Sequence, residues 1–242
     1  MLAFCTIALA LAGLAHPKEF QFLNRGSQTI WVGILGNRLL EDGGFALAPG
    51  QQVNVPFSDS WSGRVWARTG CNFDANGVGP CEVGDCGNKL KCNGAGGVPP
   101  VSLAEFTTGD LDFYDVSFVD GANVPIEIIS LGGVPDQNNQ YSCQTAGCTV
   151  DLLSNCPNEL QVKNSAGQTV ACRSSCNKFG TDEYCCAGEY NNPNVCDPSN
   201  WIINSASYFK RNCPNAYSYA YDDGSSTYIC PHNNVGYMIV FH

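Results

Sequence analysis

Residues 77–86 read Gly77-Val-Gly-Pro-Cys81-Glu-Val-Gly-Asp-Cys86. They lie inside a block, 71–100, that holds four cysteines and closely spaced glycines but almost no apolar run. Such a segment cannot bury a core of its own and must be held by disulfides. The chain changes character on either side. Short apolar runs occur at 20–23, 29–35, 52–56, 63–69, 112–119 and 125–129, each bounded by Gly, Asn or Pro. That punctuation is typical of antiparallel strands in a sandwich. Residues 217–221 and 237–241 have strand-like chemistry as well. Between Cys148 and Cys213 cysteines crowd again and alternation fades. There Asp197-Pro198-Ser199-Asn200 reads as a helix start, with a capping side chain and a proline in the first turn. Trp201, Ser205, Tyr208 and Phe209 keep helical spacing, and Pro214 lies beyond the end. The expected organisation is a β core with two disulfide-rich excursions.

A chain of 242 residues with 44% hydrophobic side chains and a mean hydropathy of −0.11 can bury a sizeable core. Twelve Lys and Arg stand against 22 Asp and Glu, a formal charge of −10. That balance repels phosphate backbones and anionic lipid, which excludes nucleic-acid binding and polybasic membrane docking. Residues 1–15 carry no charge, are too short to span a bilayer, and place Gly13 and Ala15 at the −3 and −1 positions of a cleavage site. They read as a secretory signal peptide. Its removal takes Cys5 and reduces the 15 cysteines to an even number, consistent with up to seven disulfides in an oxidising compartment. Zinc at Cys81, Cys86 and Cys92 is the competing reading. No Cys-x-x-Cys occurs and only His16, His232 and His242 could complete a mixed site, so no metal and no cofactor are expected. Trp31, Trp61 and Trp66 read as core, His232 as a loop residue, and no N-glycosylation sequon is present.

From the residues alone no carboxylate pair stands out. Glu105 follows a Pro-Pro loop, Asp115 lies in an aromatic strand, and Asp120 closes that strand before Gly121. The two aspartates differ by five positions, which puts them on opposite faces of a regular strand unless a bulge or strand end intervenes.

The chain resembles the thaumatin-like protein family along essentially all of its length after residue 15. The resemblance is carried by Arg64-Val-Trp-Ala-Arg-Thr-Gly-Cys71, the 77–86 stretch, Leu103-Ala-Glu105-Phe and Asn123-Val-Pro125. It continues through Glu183-Tyr-Cys-Cys186, Tyr208-Phe-Lys210 and Cys213-Pro-Asn-Ala-Tyr-Ser-Tyr219. Val83 and Asn88 depart from the family pattern. The implied fold is mainly β: a thaumatin-like β-sandwich core (16–68, 101–149 and 214–242), a small disulfide-stapled loop lobe (69–100) and a disulfide-rich helical and loop lobe (150–213). The implied bonds are Cys71–Cys81, Cys86–Cys92, Cys143–Cys230, Cys148–Cys213, Cys156–Cys172, Cys176–Cys185 and Cys186–Cys196. Gly26 and His242 stand where the family has two further cysteines that pair with each other, so a staple between the first and last strands is missing.

The resemblance also implies an acidic cleft built from Arg64, Glu105, Asp115, Asp120 and Asp222. The stretch from Glu105 to Asp115 is about three residues shorter than is common in the family. Glycoside hydrolysis needs one protonated and one ionised carboxyl. Glu105 is the candidate acid and Asp120 the candidate ionised partner, with Arg64, Asp115 and Asp222 as substrate-binding groups. The implied function is a secreted, monomeric defence protein that binds fungal β-1,3-glucan without inserting stably into membranes, with weak endo-β-1,3-glucanase activity as the narrower claim. The rival roles are a non-catalytic antifungal protein that perturbs wall or membrane, and an inhibitor of foreign hydrolases.

Overall fold

The computed structural model describes residues 18–231 and 235–242. The expected signal peptide at 1–15, Cys5, His16 and His232 lie outside them. The chain runs through β1 (Glu19–Asn24), β2 (Ile30–Gly36), β3 (Gly44–Leu47), β4 (Gln52–Pro56), β5 (Ser62–Arg68), β6 (Leu103–Thr107), β7 (Leu111–Ser117) and β8 (Ile126–Leu131). After these come β9 (Ala146–Gly147), β10 (Gln161–Lys163), β11 (Thr169–Cys172), three short helices, β12 (Tyr228–Pro231) and β13 (Gly236–Phe241). The helices are α1 (Ser175–Phe179), α2 (Asp182–Cys185) and α3 (Ser205–Asn212).

Two sheets make the sandwich. One has the order β12-β7-β6-β5-β2-β3 and the other β4-β1-β13-β8-β9, with β10 and β11 forming a separate hairpin. Strand β1 runs parallel to β13, Phe20 opposite Tyr237 and Asn24 opposite Phe241, so both ends of the described chain lie side by side in one sheet. Alternation decides which faces meet. Phe20 and Phe22 of β1, Phe106 of β6, Tyr114 of β7 and Tyr237 of β13 all point inward and are buried. Phe20 stacks on Phe57 at 4.1 Å, and Tyr237 lies 5.1 Å from Tyr114 and 5.2 Å from Phe106, so aromatic rings bridge the sheets. Each such ring removes enough apolar surface from water to contribute about 1.5–3 kcal/mol.

The outer face of the six-stranded sheet is divided. At one end Trp66 and Leu103 are covered by the 71–100 segment, packing with Val83, Cys86, Cys92 and Val101. Polar ties hold that cover. Trp66 Nε1 donates to Gly84 O at 2.9 Å, and the buried Arg68 guanidinium donates to Trp31 O and Val32 O on the sheet and to Lys89 O and Leu90 O on the segment. Burial lowers the Arg68 pKa to about 10. Trp61 and Trp66 are fully buried; Trp31 is half-buried, edge-on to Phe73 at 6.0 Å. At its other end the same face is open, and the cleft lies there.

Seven disulfides use every described cysteine: 71–81, 86–92, 143–230, 148–213, 156–172, 176–185 and 186–196. Gly26 and His242 are neighbours, since a Cβ on Gly26 would lie 3.4 Å from the His242 carbonyl carbon. His242 Nε2 instead meets Glu127 Oε2 at 2.9 Å.

Two local expectations need correction. The helix does not begin at Pro198. Asp197 caps only a single 3-10 turn, Pro198–Asn200, by accepting from Ser199 N, and α3 starts seven residues later with Asn204 accepting from Ser207 N. Residues 217–221 are not a strand. Tyr217 makes one parallel bridge to Ser117, and the rest is turn because Asp222 reaches back to Ser218.

Candidate functional site: an acidic cleft on the six-stranded sheet

The cleft floor is a rung of the sheet. Arg64 on β5 pairs directly with Glu105 on β6, and Glu105 with Asp115 on β7. Residues opposite each other in antiparallel strands present side chains to the same face. Val65, Ala104, Tyr114 and Val116 occupy the alternate, core-facing positions and are buried. Ser62, Thr107 and Phe113 form the next rung. Phe113, two residues before Asp115, shares its face and is 43% exposed. These side chains line an open cleft of about 700 Å³ together with Val119, Asp120, Tyr217, Ala220 and Asp223.

Asp120 joins the rung because β7 stops at Ser117. Gly121 N donates to Phe118 O in a tight turn, with Gly121 at φ +92. A Cβ there would come within 2.5 Å of Pro100 Cβ and 2.7 Å of Cys172 O, so glycine is required. The turn returns Asp120 to the cleft side, where Oδ2 lies 3.8 Å from Arg64 Nη1. A strand end thus resolves the separation by five.

The electrostatics follow from the row. Burial pushes the Glu105 carboxyl up; Arg64 opposes that shift and Asp120 adds to it. Asp115 is raised further, first by burial and then by the charges of Glu105 and Asp223. The two adjacent carboxyls, Glu105 and Asp115, thus retain protons above the ordinary carboxylate range.

Four of the five residues expected from sequence therefore come together: Arg64, Glu105, Asp115 and Asp120. Asp222 does not line the cleft. Its Oδ2 accepts from Lys210 Nζ at 2.7 Å, Ser218 Oγ at 2.8 Å and Ser218 N at 3.0 Å, and Oδ1 accepts from Ser225 Oγ. The cleft carboxylate at this point is its neighbour Asp223, exposed, with Oδ1 accepting from Tyr217 Oη at 2.8 Å. An Asp-Asp pair offers no way to tell which member faces the groove. Phe113 and Tyr217 were also missed, although Phe113 was legible as the i−2 neighbour of Asp115. Among the described residues no cluster of ligating side chains could hold a metal ion, and no helix is long and apolar enough to cross a membrane.

A two-sheet sandwich, stapled by seven disulfides and carrying an acidic cleft on one outer face, defines the architecture. The sequence pattern described as the Thaumatin family matches residues 24–242, and the chain belongs to that family. It is 53% identical over 230 residues to pathogenesis-related thaumatin-like protein 3.5 of Cryptomeria japonica, covering 94% of this chain and 90% of that one. It is 42% identical over 236 residues to a protein of Prunus avium named glucan endo-1,3-beta-glucosidase, covering 95% and 92%. In fold it matches a laminaripentaose-producing β-1,3-glucanase solved with laminaritetraose, with a TM-score of 0.57 at 11% identity, over 92% of this chain and 98% of that one. At that identity the likeness is one of fold.

Proposed function

We propose that this protein is a secreted defence protein, exported through residues 1–15, whose cleft binds β-1,3-glucan. The observation that carries the reading is the rung Arg64–Glu105–Asp115, with Asp120 beside it, in an open groove next to the exposed ring of Phe113. A neutral sugar polymer offers hydroxyls to carboxyl and guanidinium groups and C–H faces to an aromatic ring. The relative named as a glucan endo-1,3-beta-glucosidase supports the same ligand class.

Hydrolysis is the narrower proposal. Glu105, its carboxyl pushed up by burial, is the acid that protonates the leaving glycosidic oxygen. Asp120, beside Arg64, is its carboxylate partner. The test is reducing-end release from laminarin by wild type, Glu105→Gln and the double variant with Asp120→Asn, with glucan pull-down on the same samples. Release that falls at least about 100-fold in the variants, with folding intact, establishes a glycosidase and its carboxylates. Retained pull-down without release makes the cleft a non-catalytic binding site. Loss of both retires the glucan reading and favours an inhibitor of foreign hydrolases.

A further inference from the structure

Among the described residues, two buried side-chain polar atoms have no hydrogen-bond partner: Ser58 Oγ and Asp115 Oδ1. An unpartnered hydroxyl is a modest cost. An unpartnered oxygen on an ionised carboxylate is a large one, because a buried anion needs donors or a cation to replace lost water. Asp115 has neither nearby. Its cross-strand neighbour on β6 is Glu105, an acid. The wall facing it contributes Tyr217 and Asp223, and the Tyr217 hydroxyl is already committed to Asp223 and Thr227. On its other flank β12 pairs through Ile229 and Tyr228 with residues 113 and 114 and brings no charge. Among the described residues Arg64 is the only cation lining the cleft; it stands one strand further away on β5, beyond Glu105, and meets Asp120 at 3.8 Å.

Resting on the glucan reading above, we infer that Asp115 is the neutral, proton-bearing carboxyl of the cleft and that its O–H donates a hydrogen bond to a hydroxyl oxygen of the bound glucan. The shielded Oδ1 is then a carbonyl oxygen, which tolerates the lack of a partner far better than an anionic one. The cleft-facing oxygen carries the proton.

Burial and the charges of Glu105 and Asp223 act in the same direction, holding this carboxyl protonated well above the ordinary carboxylate range. The sign follows. Below the raised value Asp115 is a donor and glucan binds. As pH rises through that value the proton leaves, the donor becomes an acceptor, and binding weakens on the alkaline side. Glu105 is shifted in the same direction, so its contribution has to be removed in the test.

The experiment pairs two readouts on the full-length folded protein. The first is a side-chain carboxyl carbon NMR titration, with the Asp115 signal assigned by its loss in Asp115→Asn. The second is calorimetric binding of laminarihexaose between about pH 5 and pH 8 to wild type, Glu105→Gln, Asp115→Asn and Asp115→Ala. The Asp115 carbon is expected to titrate well above the ordinary carboxylate range. Affinity of wild type and of Glu105→Gln is expected to fall about tenfold across the range, the equivalent of one hydrogen bond to a charged or neutral partner. With Glu105→Gln also in place, Asp115→Asn retains an N–H donor at every pH and neither shifted carboxyl remains, so affinity stays flat, whereas Asp115→Ala is weaker by about tenfold at the acid end. An Asp115 carbon that titrates in the ordinary carboxylate range overturns the inference while leaving the glucan reading standing if laminarihexaose binds. A high Asp115 titration with no laminarihexaose binding at any pH overturns the donor role together with the glucan reading. Should Asp115→Asn not fold, the wild-type and Glu105→Gln pH profiles decide on their own, a flat profile in both being the overturning result.

Discussion

Asp222 and Asp223 differ by one position and have different functions in the molecule. Asp222 is 12% exposed and takes hydrogen bonds from Lys210 and Ser218, which pins the 217–226 turn to α3. Removing its charge leaves the Lys210 ammonium partly shielded and short of an anion. Asp222→Asn is expected to destabilise the protein by about 1–3 kcal/mol, seen as a thermal midpoint lower by several degrees. Asp223→Asn, on an exposed side chain, should change stability by less than about 0.5 kcal/mol but weaken laminarin binding by about threefold or more. The opposite pattern, a stability loss at Asp223 and a binding loss at Asp222, would restore the assignment expected from sequence. Sequence could name the pair but not choose within it, because the choice is made by which carboxylate Lys210 can reach.

Among the elements, strands on the inner faces were legible because their aromatic and β-branched residues alternate. The strand found at Gln52–Pro56 coincides with its expected range, and β5 differs from its expected range by one residue at each end. Strands β3, β6, β9, β10, β11 and β12 were not recognised. Each is only two to five residues long, and their identity depends on the strand they pair with rather than on internal pattern. Strand β6 carries Glu105, so the element that seats the candidate acid was invisible while the residue itself was not. Helix α3 was found with its start misplaced, since two capping side chains, Asp197 and Asn204, lie seven residues apart and each caps its own turn. Asn204 also donates from Nδ2 to Pro198 O at 2.7 Å, linking the two turns. Asn204→Ala should therefore cost about 0.5–2 kcal/mol in urea denaturation, at the upper end of cap losses. A loss no larger than that of Asn200→Ala, which caps nothing, would remove Asn204 from that role.

At the scale of the molecule, both ends of the described chain are held by the parallel pairing of β1 with β13 and by His242 against Glu127, without a covalent link. Gly26 lies beside His242 and is not in the left-handed φ region, so the double variant G26C/H242C should close a disulfide on oxidation. Closure is expected to add about 2–4 kcal/mol and raise the thermal midpoint, lost again on reduction. Free thiols persisting after oxidation would show that the two positions do not approach in solution. The sequence by itself determined the family, the mainly β class and the cysteine-rich segments, because hydrophobic alternation, turn punctuation and local motifs are written along the chain; four cleft residues came through the family resemblance those motifs carry. Tertiary structure alone decided that Asp120 swings back to the rung, that Asp223 rather than Asp222 faces the groove, and that Asp115 sits where no donor reaches it. Those outcomes depend on strand register, on where β7 ends and on which residues share a face, and each is set by contacts between segments far apart in the chain.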